Sequence, residues 1–386
     1  MNVKNTKIPQ PRFRVDYSAI ENLLTYGSDN LYPQNVRAIV SASGTADLCL
    51  SRYAKFIEGN GFLNDALADV EMNGEGETAD DILHKVAADV ARYGGLAIHV
   101  NYNIFGEVTS LHHVPFENCR LEQKDDADYI AHIIVCKNWA KRVKGSRTFK
   151  VYETDVERID VFNPDPYIVR AQIDAAGGIA QYKGQILWQS MGGKNVYPTP
   201  IYDAAITDIS TDEGLGNVKY RNVRNNFMVA CMLVAKKGVP YIDENGRSVQ
   251  TGMIDADDLR QFQGDENANK ILYVELESDE DKPEIVEFPV KNSDKDFEQT
   301  EAATIERIYA QFHQELFHAI RIGKLGFSGD VMRDAYEYYA GEVTNEQRFI
   351  QRAFRKVLAV SENEILHNAD VTIQPLRYIN SEAQAQ

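Results

Sequence analysis

One amphipathic helix and the run of strands after it constrain the fold more than any other part of the sequence. Thr78 and Asp81 have the spacing of a capping box at the start of TADDILHKVAADVARY, and Gly94 provides a stop signal. From 96 to 190, alternating or continuous apolar segments lie between turn residues, as strands do. We expect strands at LAIHVNYN, VTSLHHV, YIAHIIVC, RTFKVYET, RIDVF, YIVRAQI and QILWQS. The predicted fold class is therefore α+β.

Helical periodicity flanks a small mixed segment in the second half of the chain. One helix is predicted over about 211 to 232, and another from Ser293 to about Ile320, because apolar residues recur every three or four positions. Between them, residues 233 to 291 combine a DENG hairpin turn, a short DADDLRQFQG helix and the strands KILYVEL and EIVEFPV. In the first half, two short helices are expected around Gly44.

The last predicted helix has an apolar arc on one side and basic residues on the other. It begins at about Thr344, where Thr344 and Gln347 have capping-box spacing, and VTIQPLRYI follows as a closing strand. The apolar arc consists of Phe349, Ile350, Ala353, Phe354, Val357 and Leu358. The opposite side carries Arg348, Arg352 and Arg355. The arc predicts that this helix packs against a core.

Charge and hydropathy exclude several classes of protein. The net charge of −17 argues against a protein that wraps nucleic acid tightly, because phosphate binding depends on a basic surface. The longest apolar run, FMVACMLVA, is about half of the ~18 residues that a membrane span requires. Four separated cysteines suggest neither a disulfide framework nor a zinc site, so a reducing cytosol fits best. We expect a soluble protein without a membrane partner.

The segment HQELFH, 313 to 318, places two histidines and a glutamate close together, but its spacing does not suit a metal. If the segment is helical, His313 and His318 point about 140° apart at ~100° per residue, so they cannot share an ion. His112 and His113 face opposite sides of a predicted strand. The carboxylate runs DDAD and DEDKPE are typical of solvated turns. We predict no metal, no cofactor and no catalytic residue.

The order of elements resembles that of tailed-phage portal proteins. VAADVARYGGLAIHVNYNIFGEVTSLHHVPFENCRL is similar to the front half of that family. In the second half, NNFMVACMLVAKKG, DADDLRQF, NANKILYV, SDKDFEQTEAATIERIYAQFHQ, a glycine-containing loop and TNEQRFIQRAFRKVL follow the family order of stem helix, clip, stem helix, tunnel loop and tunnel helix. The similarity extends over about 30 to 377. HQELFHAI replaces the usual Gly-Val-Pro-like turn, which affects where the loop begins.

The resemblance implies a portal fold with an α/β wing, a two-helix stem, a small mixed α/β clip, a tunnel loop, a long tunnel helix and a minimal crown. The implied segments are an N-terminal arm at 1–29, the wing at 30–210, stem helices at 211–232 and 293–313, the clip at 233–291, the tunnel loop region at 314–341, the tunnel helix and wing return at 342–378, and a tail at 379–386.

The resemblance also implies a function without catalysis. The chain would form a ring, a dodecamer by resemblance, at one capsid vertex of a virion, after assembly in the host cytoplasm. Its partners would be double-stranded DNA in transit, the terminase large subunit, head-tail adaptors, the major capsid protein and scaffold. Assigned contacts are Arg321 and Lys324 to DNA in the channel, Phe349, Ile350, Phe354 and Val357 in subunit packing, and Asp257, Arg260 and Gln263 to partners of the clip.

Alternatives remain open at this level. A metal-dependent phage nuclease or hydrolase, or a structural adaptor that forms no ring, would also fit much of the composition. The arginine stripe of the last helix has three interpretations: a solvated face, salt bridges to the acidic stem of the next subunit, or a surface that faces DNA.

Overall fold

A computed structural model describes residues 15–16, 20–141, 149–192, 196–224, 231–234, 240–242, 248–250, 284–287 and 293–378. The chain divides into two compact units, one formed by Met1–Ser210 with Glu306–Gln386 and the other by Thr211–Ile305. None of the helices in the described ranges has the length and hydropathy needed to cross a bilayer. Helices and strands are both abundant, which confirms the α+β class.

The helices are α1 (Tyr32–Ala42), α2 (Gly44–Glu58), α3 (Asp65–Ala68), α4 (Ala79–Tyr93), α5 (Pro166–Ala175), α6 (Ile206–Arg224), α7 (Ser293–Gln311), α8 (Glu315–Arg321), α9 (Gly329–Glu342) and α10 (Thr344–Leu358). The strands are β1 (Val15–Asp16), β2 (Leu23–Leu24), β3 (Gly95–Tyr102), β4 (Val108–His113), β5 (Cys119–Glu122), β6 (His132–Val135), β7 (Phe149–Lys150), β8 (Glu157–Val161), β9 (Gln185–Ser190), β10 (Cys231–Val234), β11 (Pro240–Ile242), β12 (Ser248–Gln250) and β13 (Glu284–Glu287).

Helix α4 forms where its capping residues predict it. The Thr78 side chain accepts a hydrogen bond from the Asp81 backbone, the Asp81 carboxylate accepts one from the Thr78 backbone, and Gly94 ends the helix with a φ of 75°. Ile82, Val86 and Val90 lie on its buried face. The pair α1 and α2 around Gly44 is likewise confirmed.

A seven-stranded sheet in the order β2-β5-β6-β8-β9-β3-β4 forms the centre of the larger unit. Its neighbours are antiparallel except β8 and β9, which are parallel. In the long pair, Gly95 of β3 is opposite Ser190 of β9, and Val100 is opposite Gln185. Apolar residues of α4, β3 and β9 are almost fully buried, so the core lies between the helices and this sheet.

The edge strand β4 has its outer backbone groups occupied. Leu111 donates its N–H to the carbonyl of Met72 at 2.8 Å, and Val108 donates to that of Val360 at 2.8 Å. The carbonyl of Val108 in turn accepts from Glu362 at 2.9 Å. The other edge strand, β2, is only two residues long. Both edges of the sheet are therefore short or covered.

A fully buried arginine joins the segment before α1 to the sheet. Arg120, in β5, donates from Nε to Oδ1 of Asn30 at 2.7 Å and from Nη2 to the Asn30 carbonyl at 2.7 Å. Its Nη1 donates to the carbonyls of Cys119 and Glu117. The guanidinium also lies 4.9 Å from the centroid of the Trp139 ring. Asn30 is buried with a φ of 54°, a conformation that asparagine tolerates better than most residues.

One predicted strand is a helix. YIVRAQI lies within α5, where Asp165 caps the N-terminus by accepting from the Tyr167 backbone and Pro166 takes the first position. Val169 and Ile173, four residues apart, are its buried residues. Its β-branched residues suggested a strand, but the cap, the proline and this spacing favour a helix. In RTFKVYET, the described part from 149 onward is a strand only at Phe149–Lys150, so the predicted strand ends earlier than expected.

The first long helix of the second half begins and ends earlier than predicted. It occupies Ile206–Arg224, whereas Cys231–Val234 is a strand that pairs with Glu284–Glu287, so the expected helix at 231 and 232 is wrong. The strand predicted in EIVEFPV is confirmed by that pair. Strands β11 and β12 pair antiparallel on both sides of the expected DENG turn, whose own residues lie outside the described ranges, as do DADDLRQFQG and KILYVEL.

Helices α6 and α7 are joined by ion pairs. Lys219 pairs with Glu301 in the smaller unit. Arg307 pairs with Asp208 in the larger unit, with 2.9 Å between the nitrogen and oxygen. The residue numbers rise along one helix as they fall along the other, so the two helices are antiparallel neighbours. The boundaries of wing, stem and clip stay predictions.

The end of the chain differs from expectation in two details. Val343, not Thr344, precedes α10, and the Thr344 hydroxyl donates to the carbonyls of Ala340 and Gly341, so the predicted capping box is absent. The predicted closing strand is an isolated bridge between Ile373 and Phe62.

We expect Arg120→Met to lower the free energy of unfolding by about 3 kcal/mol or more, because buried carbonyls lose their donors while the side-chain volume is largely kept. Urea unfolding followed by circular dichroism measures this. Arg37→Met is the control. The Arg37 side chain is half exposed and pairs with Glu117, and surface ion pairs of this kind contribute about 0 to 1 kcal/mol to stability. Equal losses in the two variants would contradict the role assigned to Arg120.

Candidate functional site

The HQELFH segment lies at a break between two helices. Helix α7 ends at Gln311 and α8 begins at Glu315, so the single helix predicted to about Ile320 is wrong. His313 adopts a φ of 56°, which is left-handed and interrupts the helical path. The apolar register changes at this point, because Phe312 and Phe317 are buried whereas Leu316 is only partly so.

The side chain of Gln314 holds the break in place. It is fully buried, and its amide nitrogen donates to the carbonyl of Cys49 and to the hydroxyl of Tyr339, both at 2.8 Å. Its amide oxygen accepts from Nη1 of Arg52 at 3.0 Å. The Tyr339 hydroxyl donates to the carbonyl of Phe312, so both sides of the break are tied to α9.

The two histidines of the segment have separate environments. His313 Nδ1 lies 3.0 Å from a carboxylate oxygen of Glu342. His318 packs its ring 4.9 Å from that of Tyr309. Burial lowers the pKa of His318, and the nearby cations Lys324 and Arg321 lower it further, although Glu306 opposes them. The helical premise used to separate the histidines is wrong, but they do contact different residues.

An exposed loop, 322–328, follows α8, and the two residues proposed for DNA lie at the end of that helix and in the loop. Gly323 has a φ of 74°, and the backbone N–H of Lys324 donates to the carbonyl of Ala319, which closes the helix end. Arg321 donates to the Tyr309 hydroxyl at 2.9 Å. Arg321 is the last residue of α8 and Lys324 follows three residues later, so both cations lie at the base of the loop.

The same loop exposes large apolar side chains. Ile322 is 47% exposed, Leu325 37% and Phe327 81%. Exposed apolar side chains beside cations are typical of contact surfaces rather than of a catalytic pocket. Residues 329 to 342, most of which fall in the segment predicted as the tunnel loop region, form α9, and the bounds of that region stay a prediction. Ser328, which caps that helix by accepting from Val331, is the sequence signal that we missed.

Helix α10 places its apolar arc in the core of its own chain. Ile350, Phe354 and Val357 are fully buried and Phe349 is 9% exposed. The rings of Phe354 and Phe62 lie 5.0 Å apart. Arg348, Arg352 and Arg355 are exposed on the other side of the helix, as the sequence predicts, and Lys356 is exposed at the edge of the arc. The four residues assigned to subunit packing therefore stabilise the protomer, and their part in ring contacts stays a prediction.

A polar interaction beneath α10 was not predicted. Glu346 is buried, and its Oε1 accepts from the Tyr53 hydroxyl at 2.9 Å. Burial raises the pKa of Tyr53 and the carboxylate raises it further, so the phenol stays protonated and acts as a donor. Glu346 lies close in sequence to exposed basic residues, so the sequence did not indicate that its side chain is buried.

Among the described residues, Glu75, Glu77 and His112 form a group whose potential ligand atoms lie within 4.8 Å of one another. Glu77 is already paired with Lys85 and accepts from Asn73, and these hydrogen bonds lower the pKa of its carboxyl. Because a lysine neutralises this carboxylate, the group is held as an ion-pair network. The proposed clip contacts Asp257, Arg260 and Gln263 lie outside the described residues.

Comparison with known proteins gives structural matches without sequence matches. No family model and no curated protein matches the sequence. The fold is similar to a chain of "Virion of native gene transfer agent (GTA) particle", with a TM-score of 0.51, 12% identity, and coverage of 89% of this chain and 83% of that chain. It is also similar to a chain of "Neck of empty GTA particle computed with C6 symmetry", with a TM-score of 0.51, 12% identity, and coverage of 90% of this chain and 85% of that chain.

A third match is an HK97 family phage portal protein from Corynebacterium diphtheriae, with a TM-score of 0.36, 10% identity, and coverage of 74% of this chain and 84% of that chain. This TM-score is too low to support an argument. The first two matches establish the fold alone, which is similar to that of a chain in each of these GTA particles.

We expect Gln314→Leu to lower the free energy of unfolding by about 2 to 3 kcal/mol, because buried donors and acceptors around the break lose their partner at nearly unchanged volume. Gln351→Leu, on the partly exposed side of α10, is the control and should stay within about 0.5 kcal/mol. Urea titration of both variants provides the measurement. A Gln314→Leu protein as stable as the wild type would show that the amide does not hold the break.

Proposed function

We propose that this chain is a portal protein, the subunit of a closed ring at one vertex of a phage-type capsid, through which double-stranded DNA enters during packaging and leaves at infection. The observation that carries the proposal is the fold similarity to virion and neck chains over 89% and 90% of this chain. The order of elements in the sequence supports the same function independently of that similarity.

The geometry of the described residues suits a structural role. Antiparallel α6 and α7 flank a small segment of short strands, as a stem flanks a clip. The exposed loop 322–328 then follows within the larger unit. The sixfold symmetry applied to the GTA neck is compatible with twelve subunits, because twelve is a multiple of six. A dodecamer is accordingly the proposed ring.

The charge distribution suits a channel through which DNA slides. The net charge of −17 repels DNA from most of the surface and limits strong binding. Arg321 and Lys324 at the base of the loop supply weak, reversible contacts with phosphates. DNA would thus be guided without being held.

In this proposal the chain has no catalytic activity and requires no cofactor. Hydrolysis of ATP belongs to a terminase large subunit that docks on the clip, where Asp257, Arg260 and Gln263 are the proposed contacts. Head-tail adaptors later replace the terminase, while the major capsid protein and scaffold surround the ring. Assembly takes place in the host cytoplasm, and the final location is the virion.

We expect the purified protein to form closed rings of one size, with about twelve subunits by resemblance. Negative-stain microscopy and light scattering measure ring shape and mass. A monomer at all accessible concentrations would contradict the proposal. Cleavage of DNA in Mg²⁺ or Mn²⁺ that a chelator abolishes would favour the nuclease alternative, and a defined small oligomer without a hole would favour the adaptor alternative.

We expect Lys324→Ala to leave ring yield unchanged and to reduce the amount of DNA that is packaged, because the side chain is exposed and its loss removes only a phosphate contact. The measurement is nuclease-protected DNA per particle. Lys124→Ala is the matched control, since this lysine pairs with Asp128 on a different turn. Equal packaging by the two variants would remove Lys324 from the proposed DNA contacts.

A further inference from the structure

Four large apolar side chains form an exposed patch at one end of the central sheet. Ile104 and Phe105, in the turn after β3, are 63% and 58% exposed. Tyr167 and Ile168, at the start of α5, are 79% and 41% exposed. We call these four residues the knob. A monomer gains nothing by exposing them together, and clusters of this kind mark contact surfaces.

The knob is held as one body. A Cβ added at Gly106 would lie 3.0 Å from the carbonyl oxygen of Pro166, which shows how closely the turn approaches α5. Arg170 donates from Nε to the carbonyl of Phe105 at 2.8 Å. The two halves of the knob are therefore fixed relative to each other before any partner binds.

A groove of complementary character lies at the other end of the strand pair. It has a volume of about 660 Å³ and lies between residues 188–192 and one face of α10. Trp188 and Phe349 contribute apolar surface. Among the described residues that line it are Arg352 and Lys356 and no carboxylate. Phe349, Arg352 and Lys356 are spaced by three and four positions, so they lie along one border between the apolar arc of α10 and its basic face.

The register of the sheet separates the knob from the groove. Gly95 is opposite Ser190, and the knob turn follows Tyr102 at the far end of β3. Eight residues of strand at ~3.3 Å each place about 25 Å between the two ends. The knob therefore cannot fill the groove of its own chain.

We propose that the knob of one copy inserts into the groove of the next copy. Charge complementarity supports a second copy as the occupant, because two exposed carboxylates, Glu107 and Asp165, flank the knob against one arginine, Arg170, whereas Arg352 and Lys356 line the groove. A contact between two different surfaces is heterologous, and successive heterologous contacts close into a ring when the rotation permits. The inference rests on the proposed ring and names the surfaces that build it.

Two variants test the two surfaces of this contact one at a time. Tyr167→Asp places a charge on the knob, and Arg352→Glu with Lys356→Glu reverses the charge of the groove. Each should raise the concentration at half-assembly at least tenfold, as measured by sedimentation, because interface residues of this type dominate association. An acidic residue in the first turn of α5 suits the helix dipole, so circular dichroism should report an unchanged fold.

Leu63→Asp is the matched control, since this apolar residue is 54% exposed and belongs to neither surface. It should assemble as the wild type does. Unchanged assembly by both the knob and the groove variants, with intact wild-type rings, would overturn the assigned surfaces and leave the portal proposal standing. A wild-type protein that stays monomeric would overturn both.

Mixing the two variants tests whether the contact runs from the knob of one copy to the groove of the next. The knob variant retains a groove and the groove variant retains a knob, so an equimolar mixture should form a 1:1 complex that neither protein forms alone. Light scattering distinguishes this complex from monomers and rings. A mixture that shows no more association than its components would overturn the head-to-tail contact.

Discussion

Burial of one face of α10 determines the arrangement of most other parts of the larger unit. Phe354 packs on Phe62, the Gln347 amide donates to the carbonyl of Phe56, and Glu346 accepts from Tyr53. These contacts join the last helix to the segments that begin the chain. Because the buried face is fully used inside the protomer, its basic face remains for other molecules. The groove proposed for a second copy lies at the border between this basic face and the apolar arc.

The break after α7 depends on polar groups instead of apolar ones. A helix that continued through His313 would carry the loop 322–328 in another direction. Gln314 prevents this by satisfying groups on α2 and α9 simultaneously. The exposed cations and apolar residues of the loop therefore owe their position to a buried amide. Such a network specifies one geometry, since any alternative would leave buried donors and acceptors unpaired.

Features that depend on the local spacing of residues were predictable from the sequence. Features that depend on contacts between residues distant in sequence were not. The capping box of α4 and the apolar arc of α10 depend on local spacing, so sequence alone located both. The segment YIVRAQI of α5 was predicted as a strand because its β-branched residues Ile168 and Val169 favour strands, while the helix-capping residue Asp165 was not considered. The bend at Gln314 depends on Cys49 and Tyr339, which are distant in sequence. Likewise, the knob and the groove become visible only when the register of β3 and β9 is known.

The covered edges of the sheet bear on how many copies can associate. An open strand edge accepts another chain through backbone hydrogen bonds that are insensitive to side-chain identity, and such pairing has no natural limit in copy number. Met72, Val360 and Glu362 occupy the outer groups of β4, and β2 offers only two residues. Association through the edges of this sheet is thereby disfavoured, and contacts between side chains set a fixed angle between neighbours. A fixed angle allows assembly to stop at a definite count, as the proposed ring requires.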